Sequence, residues 1–192
     1  INVGVLYLVC QTELSFIAPR QQSFIRIGAL DPVQLALGEW WRLFTAGFVH
    51  FGIVHLAFNC IALQVIGPQI EKSVGKYWFV AIYLFSAVSA SLCSSYFNLS
   101  LACGASGAIF GLIGVGAVIE LFYYDLPFKP SIKENFSYHQ LKILFFRLPY
   151  VSLAILNLIL AVLLNYLAIW FSMAIRIDNS AHLGGCFSGA SL

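Results

Sequence analysis

Charged residues are so sparse in this chain that the gaps between them outline its architecture. No formal charge falls in the 28 residues between Arg42 and Glu71, the 43 between Lys76 and Glu120, or the 28 between Arg147 and Arg176. A helix rises about 1.5 Å per residue and a bilayer's hydrocarbon is about 30 Å thick, so about 20 apolar residues make one crossing. Each 28-residue interval therefore predicts one span, near 48–66 and near 149–171. As a single helix the 43-residue interval would run about 65 Å, so it must fold back once. The polar break Asn98-Leu99-Ser100 and the following Gly104 mark that turn and predict spans near 77–96 and 104–123. The apolar run 1–10, closed by Gln11, Thr12 and Glu13, reads as the second half of a first span, and a last span begins near Ser180. The expectation is an all-α, polytopic six-helix bundle, a single domain over 1–192 clipped within its first and last spans.

Composition supports that class. Sixty per cent of the residues are hydrophobic and 9% are charged, against roughly 25% charged in a soluble domain. Too few charges remain to cover a water-facing surface, so the main solvent and partner is the lipid bilayer. A net charge of +2 gives no reason to expect nucleic acid. Basic residues orient the bundle. Loops after the second and fourth spans hold Lys72, Lys76, Lys129, Lys133, Lys142 and Arg147, while those after the first, third and fifth hold Arg20, Arg26, Arg42 and Arg176. The richer set is cytoplasmic by the positive-inside rule. The long connection 11–47 is not hydrophilic and carries Trp40-Trp41; tryptophan favours the headgroup level, so this first loop is expected to lie half-sunk in the outer leaflet.

Span parity then gathers the polar residues. The second, fourth and sixth spans all enter from the outer side. The second carries His50, His55 and Asn59 in its first turns, the fourth carries Gly104-Ala105-Ser106-Gly107 at its mouth, and the sixth carries Ser180-Ala181-His182-Leu183-Gly184-Gly185. Such groups are costly in hydrocarbon and usually line a wet cavity. Gly104, Gly107, Gly111 and Gly114 form a small-residue face on the fourth span, and Ala181, Gly185 and Gly189 form one on the sixth. Faces of this kind let backbones approach closely in lipid, as a serine hydroxyl and a histidine nitrogen must to hydrogen-bond. Ser106 alone would read as a packing residue. Its company changes that.

These motifs, in order, resemble the rhomboid family of intramembrane proteases: Glu39-Trp40-Trp41-Arg42, His50-x4-His55-x3-Asn59, Gly67-x3-Glu71-x3-Gly75, Gly104-Ala105-Ser106-Gly107 and Ala181-His182-x2-Gly185-x3-Gly189. The resemblance runs from the first loop to the end of the chain. It implies that Ser106 is the nucleophile of a serine endopeptidase and His182 its general base. By the same resemblance His55 and Asn59, with the Ser106 N–H, stabilise the oxyanion, and His50 supports the site by bracing the first loop. It further implies that Arg42 braces that loop, that Glu71 braces the inner end of the second span, and that the substrates are transmembrane proteins. His55 and Asn59 are i, i+4 neighbours on one helical face, which agrees.

No triad carboxylate is in view: Glu120 lies about 21 Å down the helix from Ser106, and Asp178 belongs to the loop before His182. A Ser–His dyad is the reading. Phe110 stands where some relatives carry tyrosine. The five cysteines show no C-x-x-C pair and read as packing residues. H-E-x-x-H is absent, and His50 and His55 are five apart, so neither metal nor another cofactor is expected. His139, among Lys133, Glu134 and Lys142, reads as a solvated surface residue. The rival reading is an inactive rhomboid-like protein that binds membrane clients; such relatives typically lose the serine or the histidine, and this chain keeps both.

Overall fold

A computed structural model describes residues 21–123, 149–170 and 177–192. The first apolar run, the long loop 124–148 with His139, and the side chain of Trp170 lie outside the described residues. Three short helices come first: α1 (Gln21–Arg26), α2 (Pro32–Ala36) and α3 (Arg42–Thr45), the last running into a 3-10 turn at Ala46–Phe48. The long helices follow: α4 (Ile53–Val74), α5 (Lys76–Phe97), α6 (Ser106–Tyr123), α7 (Pro149–Trp170) and α8 (Asn179–Ala190). Among the described residues the fold is all-helical, apart from loops and one isolated bridge. By length and composition α4, α5 and the Pro149–Leu167 part of α7 can cross a membrane, and Ser106–Phe122 of α6 is a shorter apolar helix.

The helix ends follow local chemistry. Asp31 caps α2, accepting from the Gln34 N–H at 3.0 Å, with Pro32 at the first helical position where its missing donor costs nothing. Asn98 closes α5, at the polar break read from the sequence. The second span needs correcting. It starts at Ile53 and runs to Val74, because Val49 is extended and Gly52 sits at φ 125°. His50 therefore precedes the helix and does not lie in its first turns. At the other end the helix continues past the apolar stretch through Glu71 and Lys72 to Gly75. Glu71 is exposed and makes no hydrogen bond or ion pair through its side chain among the described residues, so the bracing role implied for it is not seen there.

Helix α6 is the axis, packed against α4, α5, α7 and α8. Its Ile109, Leu112, Ile113 and Val115 meet Ile66 and Ile70 of α4 and Ile82 of α5 in the main core. The opposite side is built from small residues. A Cβ at Gly185 would overlap the Gly107 carbonyl, and one at Gly189 the Gly111 carbonyl. Backbone lies on backbone here. Overpacking a core typically costs about 1–3 kcal/mol, and no rotamer can relieve a clash with a carbonyl. Gly185→Ala is therefore expected to destabilise the protein by at least that range, read as a lowered midpoint of thermal unfolding in detergent. An unchanged midpoint would mean that α6 and α8 are not in backbone contact.

The first loop is docked on the bundle. Leu30 and Ala102 exchange both backbone hydrogen bonds at 2.9 Å, and the Gly104 N–H donates to Ala46 O at 3.0 Å. Arg42, only 4% exposed, donates to the carbonyls of Ile25 (2.5 Å) and Ala29 (2.9 Å) and to Glu39 (2.6 Å). A buried guanidinium must fill its donors, and by doing so it ties the Ile25 and Ala29 backbone to the start of α3. Val33, Leu37, Trp40, Trp41 and Phe44 remain exposed on the same loop.

Candidate active site

The strand-like segment that ends in Ser106 is held from two sides. Gly104 adopts φ 130°, a conformation L side chains rarely adopt, and a Cβ there would press on the His55 ring at 2.6 Å. Glycine meets both demands. The next residue, Ala105, donates its N–H to His50 Nε2 at 3.4 Å, and His50 is buried. Ser106 then opens α6, where the first N–H groups have no acceptor within their own helix.

His182 lies in the first turn of α8. Its Nε2 is 3.0 Å from Ser106 Oγ. The small-residue faces explain the approach: Gly107 and Gly111 admit Gly185 and Gly189, one and two turns below the pair. The imidazole stacks on Phe110, centroids 4.2 Å apart with planes at 11°. Its Nδ1 is buried and has no hydrogen-bond partner among the described residues. Asp178 is close in sequence but engaged elsewhere: its carboxylate accepts from Ser94 Oγ of α5, from Ser180 Oγ at 2.5 Å and from the Ala181 N–H at 3.1 Å. Burial pushes this carboxyl up, but the bonds from Ser180, Ser94, Asn98 and Ala181 outweigh it and hold it below its ordinary value.

The other sequence candidates are placed nearby with different partners. His55 accepts the Phe51 N–H through Nδ1 at 3.3 Å, and its ring lies 5.2 Å from that of His50. Asn59 is buried and donates through Nδ2 to His55 O at 2.8 Å, back along its own helix. Among the described residues no hydrogen bond joins His55 or Asn59 to Ser106. No group of three metal-ligating side chains occurs among the described residues.

Two features went unread in the sequence. Glu120, 4% exposed, accepts from the N–H groups of Tyr150 (2.9 and 3.0 Å) and Val151 (3.1 Å) and so caps the start of α7. A lone acid in an apolar span signals a partner, but nothing local says which. The second is a cavity of about 130 Å³ beside His182, lined by Phe110, Ile155, Leu158, Leu183 and Cys186 among others. It is apolar and large enough for a small hydrocarbon group.

Residues 37–192 match the Rhomboid domain family. Among known proteins the chain is similar to Rhomboid protease GluP of Bacillus subtilis (strain 168), 33% identical over 88% of this chain and 28% of the relative. It is also similar to Rhomboid protease AarA of Providencia stuartii, 30% identical over 99% of this chain and 67% of the relative. RHOMBOID-like protein 5 of Arabidopsis thaliana is 32% identical over 92% of this chain and 50% of its own length. The chain thus spans well under two thirds of two of these three relatives.

Proposed function

The chain belongs to the rhomboid family, and on that premise we propose that it is an intramembrane serine endopeptidase working with a Ser106–His182 dyad. The observation that carries the reading is the 3.0 Å contact between Ser106 Oγ and His182 Nε2. With its proton on Nδ1, His182 accepts the Ser106 proton at Nε2 as Oγ attacks the scissile carbonyl, then returns it to the leaving amine. Water repeats the cycle on the acyl-enzyme. The oxyanion falls to the Ser106 N–H at the positive end of α6, with His55 and Asn59 as further donors. His50 supports the site through Ala105. Labelling of Ser106 by a fluorophosphonate tests the reading. An unlabelled wild type that still binds membrane clients would favour the inactive relative.

The family and the apolar helices make the chain an integral membrane protein. In the arrangement we propose, the whole of 1–192 is one six-span domain, with the exposed apolar residues of the first loop in the outer leaflet. The bias of basic residues among the loops supports a dyad toward the non-cytoplasmic side. Substrates are transmembrane proteins, as expected of the family, and no cofactor enters the chemistry.

A substrate helix must reach Ser106 sideways from lipid. Span 5 (α7) is the proposed gate, since it holds no glycine and offers only separable dispersion contacts. Its inner end is tied down by Glu120 and by Tyr150 Oη, which donates to Gln69 of α4 at 3.0 Å, so opening would occur at the outer end. Shrinking large residues at the outer end of this span, with Trp170→Ala the first choice, is expected to raise cleavage of a transmembrane substrate. Weakening the closed gate by ~0.7–1.4 kcal/mol corresponds to roughly three- to tenfold. Labelling by a small soluble probe should not change. A disulfide tying the outer ends of spans 2 and 5 should slow membrane substrates, and full-rate cleavage by the tied enzyme would place the gate elsewhere.

A further inference from the structure

We propose that Asp178 and Asn165 are positioning residues for His182, acting through the start of its helix and not through a hydrogen bond to the imidazole. The inference rests on the dyad reading and adds what holds the base in place. Serine–histidine chemistry needs the imidazole fixed, and a carboxylate on Nδ1 commonly does this. Here Nδ1 has no partner among the described residues; Phe110 fixes the plane of the ring, and the ring's place depends on the backbone beneath it.

That backbone is pinned one turn earlier, at residues 177 and 178. Asn165 of α7 pairs with both polar groups of Ile177: Nδ2 donates to Ile177 O and Oδ1 accepts the Ile177 N–H, each at 2.6 Å. Asp178 caps α8 through the Ala181 N–H and Ser180 Oγ and reaches across to Ser94 Oγ of α5. The His182 N–H then donates to Asp178 O at 3.2 Å. The turn that carries the base is thus tied to α7 on one side and α5 on the other. An amide in the apolar α7 is otherwise a cost, and this pairing accounts for it. The charge on Asp178, favoured by the hydrogen bonds it accepts, fits a cap on a helix N-terminus.

Lower in α8, the glycine contacts with α6 persist without these bonds, so their loss should shift the first turn and leave the bundle folded. A displacement of about 1 Å can cost on the order of a hundredfold in rate. For a partial shift, Asp178→Ala and Asn165→Ala are each expected to lower kcat about tenfold with KM unchanged, per active site titrated. They should slow fluorophosphonate labelling of Ser106 to match. Asp178→Asn keeps an oxygen for the cap and an N–H for Ser94, and should recover most of the rate. A triad acid would behave oppositely, losing about 10⁴-fold on change to asparagine, so an Asp178→Asn enzyme no better than Asp178→Ala would overturn the proposal. Unchanged kcat and labelling in both alanine variants would overturn it as well, leaving the dyad reading untouched. Loss of the dyad reading itself would show separately, as a wild-type protein that the probe does not label. Asn165→Ala also differs from a gate change, which raises membrane-substrate cleavage and leaves the soluble probe unaffected.

Discussion

Ser106→Ala is expected to abolish cleavage of a transmembrane substrate and labelling by a fluorophosphonate while the protein stays folded. The hydroxyl's hydrogen bond is to His182, so its removal costs stability only about 0.5–1.5 kcal/mol. The chemical loss is far larger. In triad enzymes, removing the serine or the histidine lowers kcat by roughly 10⁶, and removing both costs little more, because the two act as one unit. His182→Ala should match Ser106→Ala and abolish probe labelling of the intact serine, since without the base Oγ is a weak nucleophile. The double variant should be no worse than either single one. Circular dichroism and thermal unfolding establish that each variant is folded, and mass spectrometry locates the label. Normal cleavage by either single variant would remove the dyad; a double variant much slower than the singles would mean that the two residues act independently.

That no carboxylate among the described residues meets His182 Nδ1 makes physical sense where it sits. An ionised acid carried into an apolar bundle must be fully paired or it destabilises the fold. Asp178 satisfies that condition at the helix start, where three donors meet it, and Glu120 instead accepts from the N–H groups that open α7. The ring of His182 is oriented by stacking on Phe110 instead, which asks for a flat face and no hydroxyl.

What could be read in advance divides along physical lines. Charge-free intervals and the lipid's thickness located α5, α6 and α7 within a few residues, since those constraints act along the chain. Span parity predicted Ser106 and His182 at one level, and the two are in contact; the glycine periods told that α6 and α8 could touch. Span 2 was misplaced because its ends are set by backbone geometry at Gly52 and Gly75 and not by hydropathy. Pairings across the fold left no local trace. Nothing in Leu30 or Ala102 announces that the first loop hydrogen-bonds to the segment before Ser106. Glu120 could be excluded as a triad acid by distance, but its partners 30 residues on could not be named. Asn165 carried no signal in the sequence; its two bonds to Ile177 give it a job.

Asn59→Ala is expected to lower kcat by about 10²–10³, the usual cost of one oxyanion donor, equivalent to about 2.7–4 kcal/mol of transition-state stabilisation. The resting geometry makes this a demanding case. One N–H of the Asn59 amide is spent on His55 O at 2.8 Å, and the residue is buried. An amide nitrogen carries two donors, so the second can serve the oxyanion without breaking the first, and the bond to His55 O holds the amide in place. Catalytic hydrogen bonds often tighten only once substrate is bound, so a missing contact with Ser106 at rest does not exclude the role. The stability cost should be small, about 1 kcal/mol for one side chain–backbone bond. The two readings therefore separate on paired measurements. If Asn59 is a donor, kcat falls by two to three orders of magnitude, KM stays near normal and the unfolding midpoint shifts slightly. If it only packs α4, kcat follows the small stability change, and the Ser106 N–H with His55 must suffice for the oxyanion. Covalent labelling by an aldehyde, whose hemiacetal oxygen occupies the same place, should weaken in parallel with kcat in the first case and hold steady in the second.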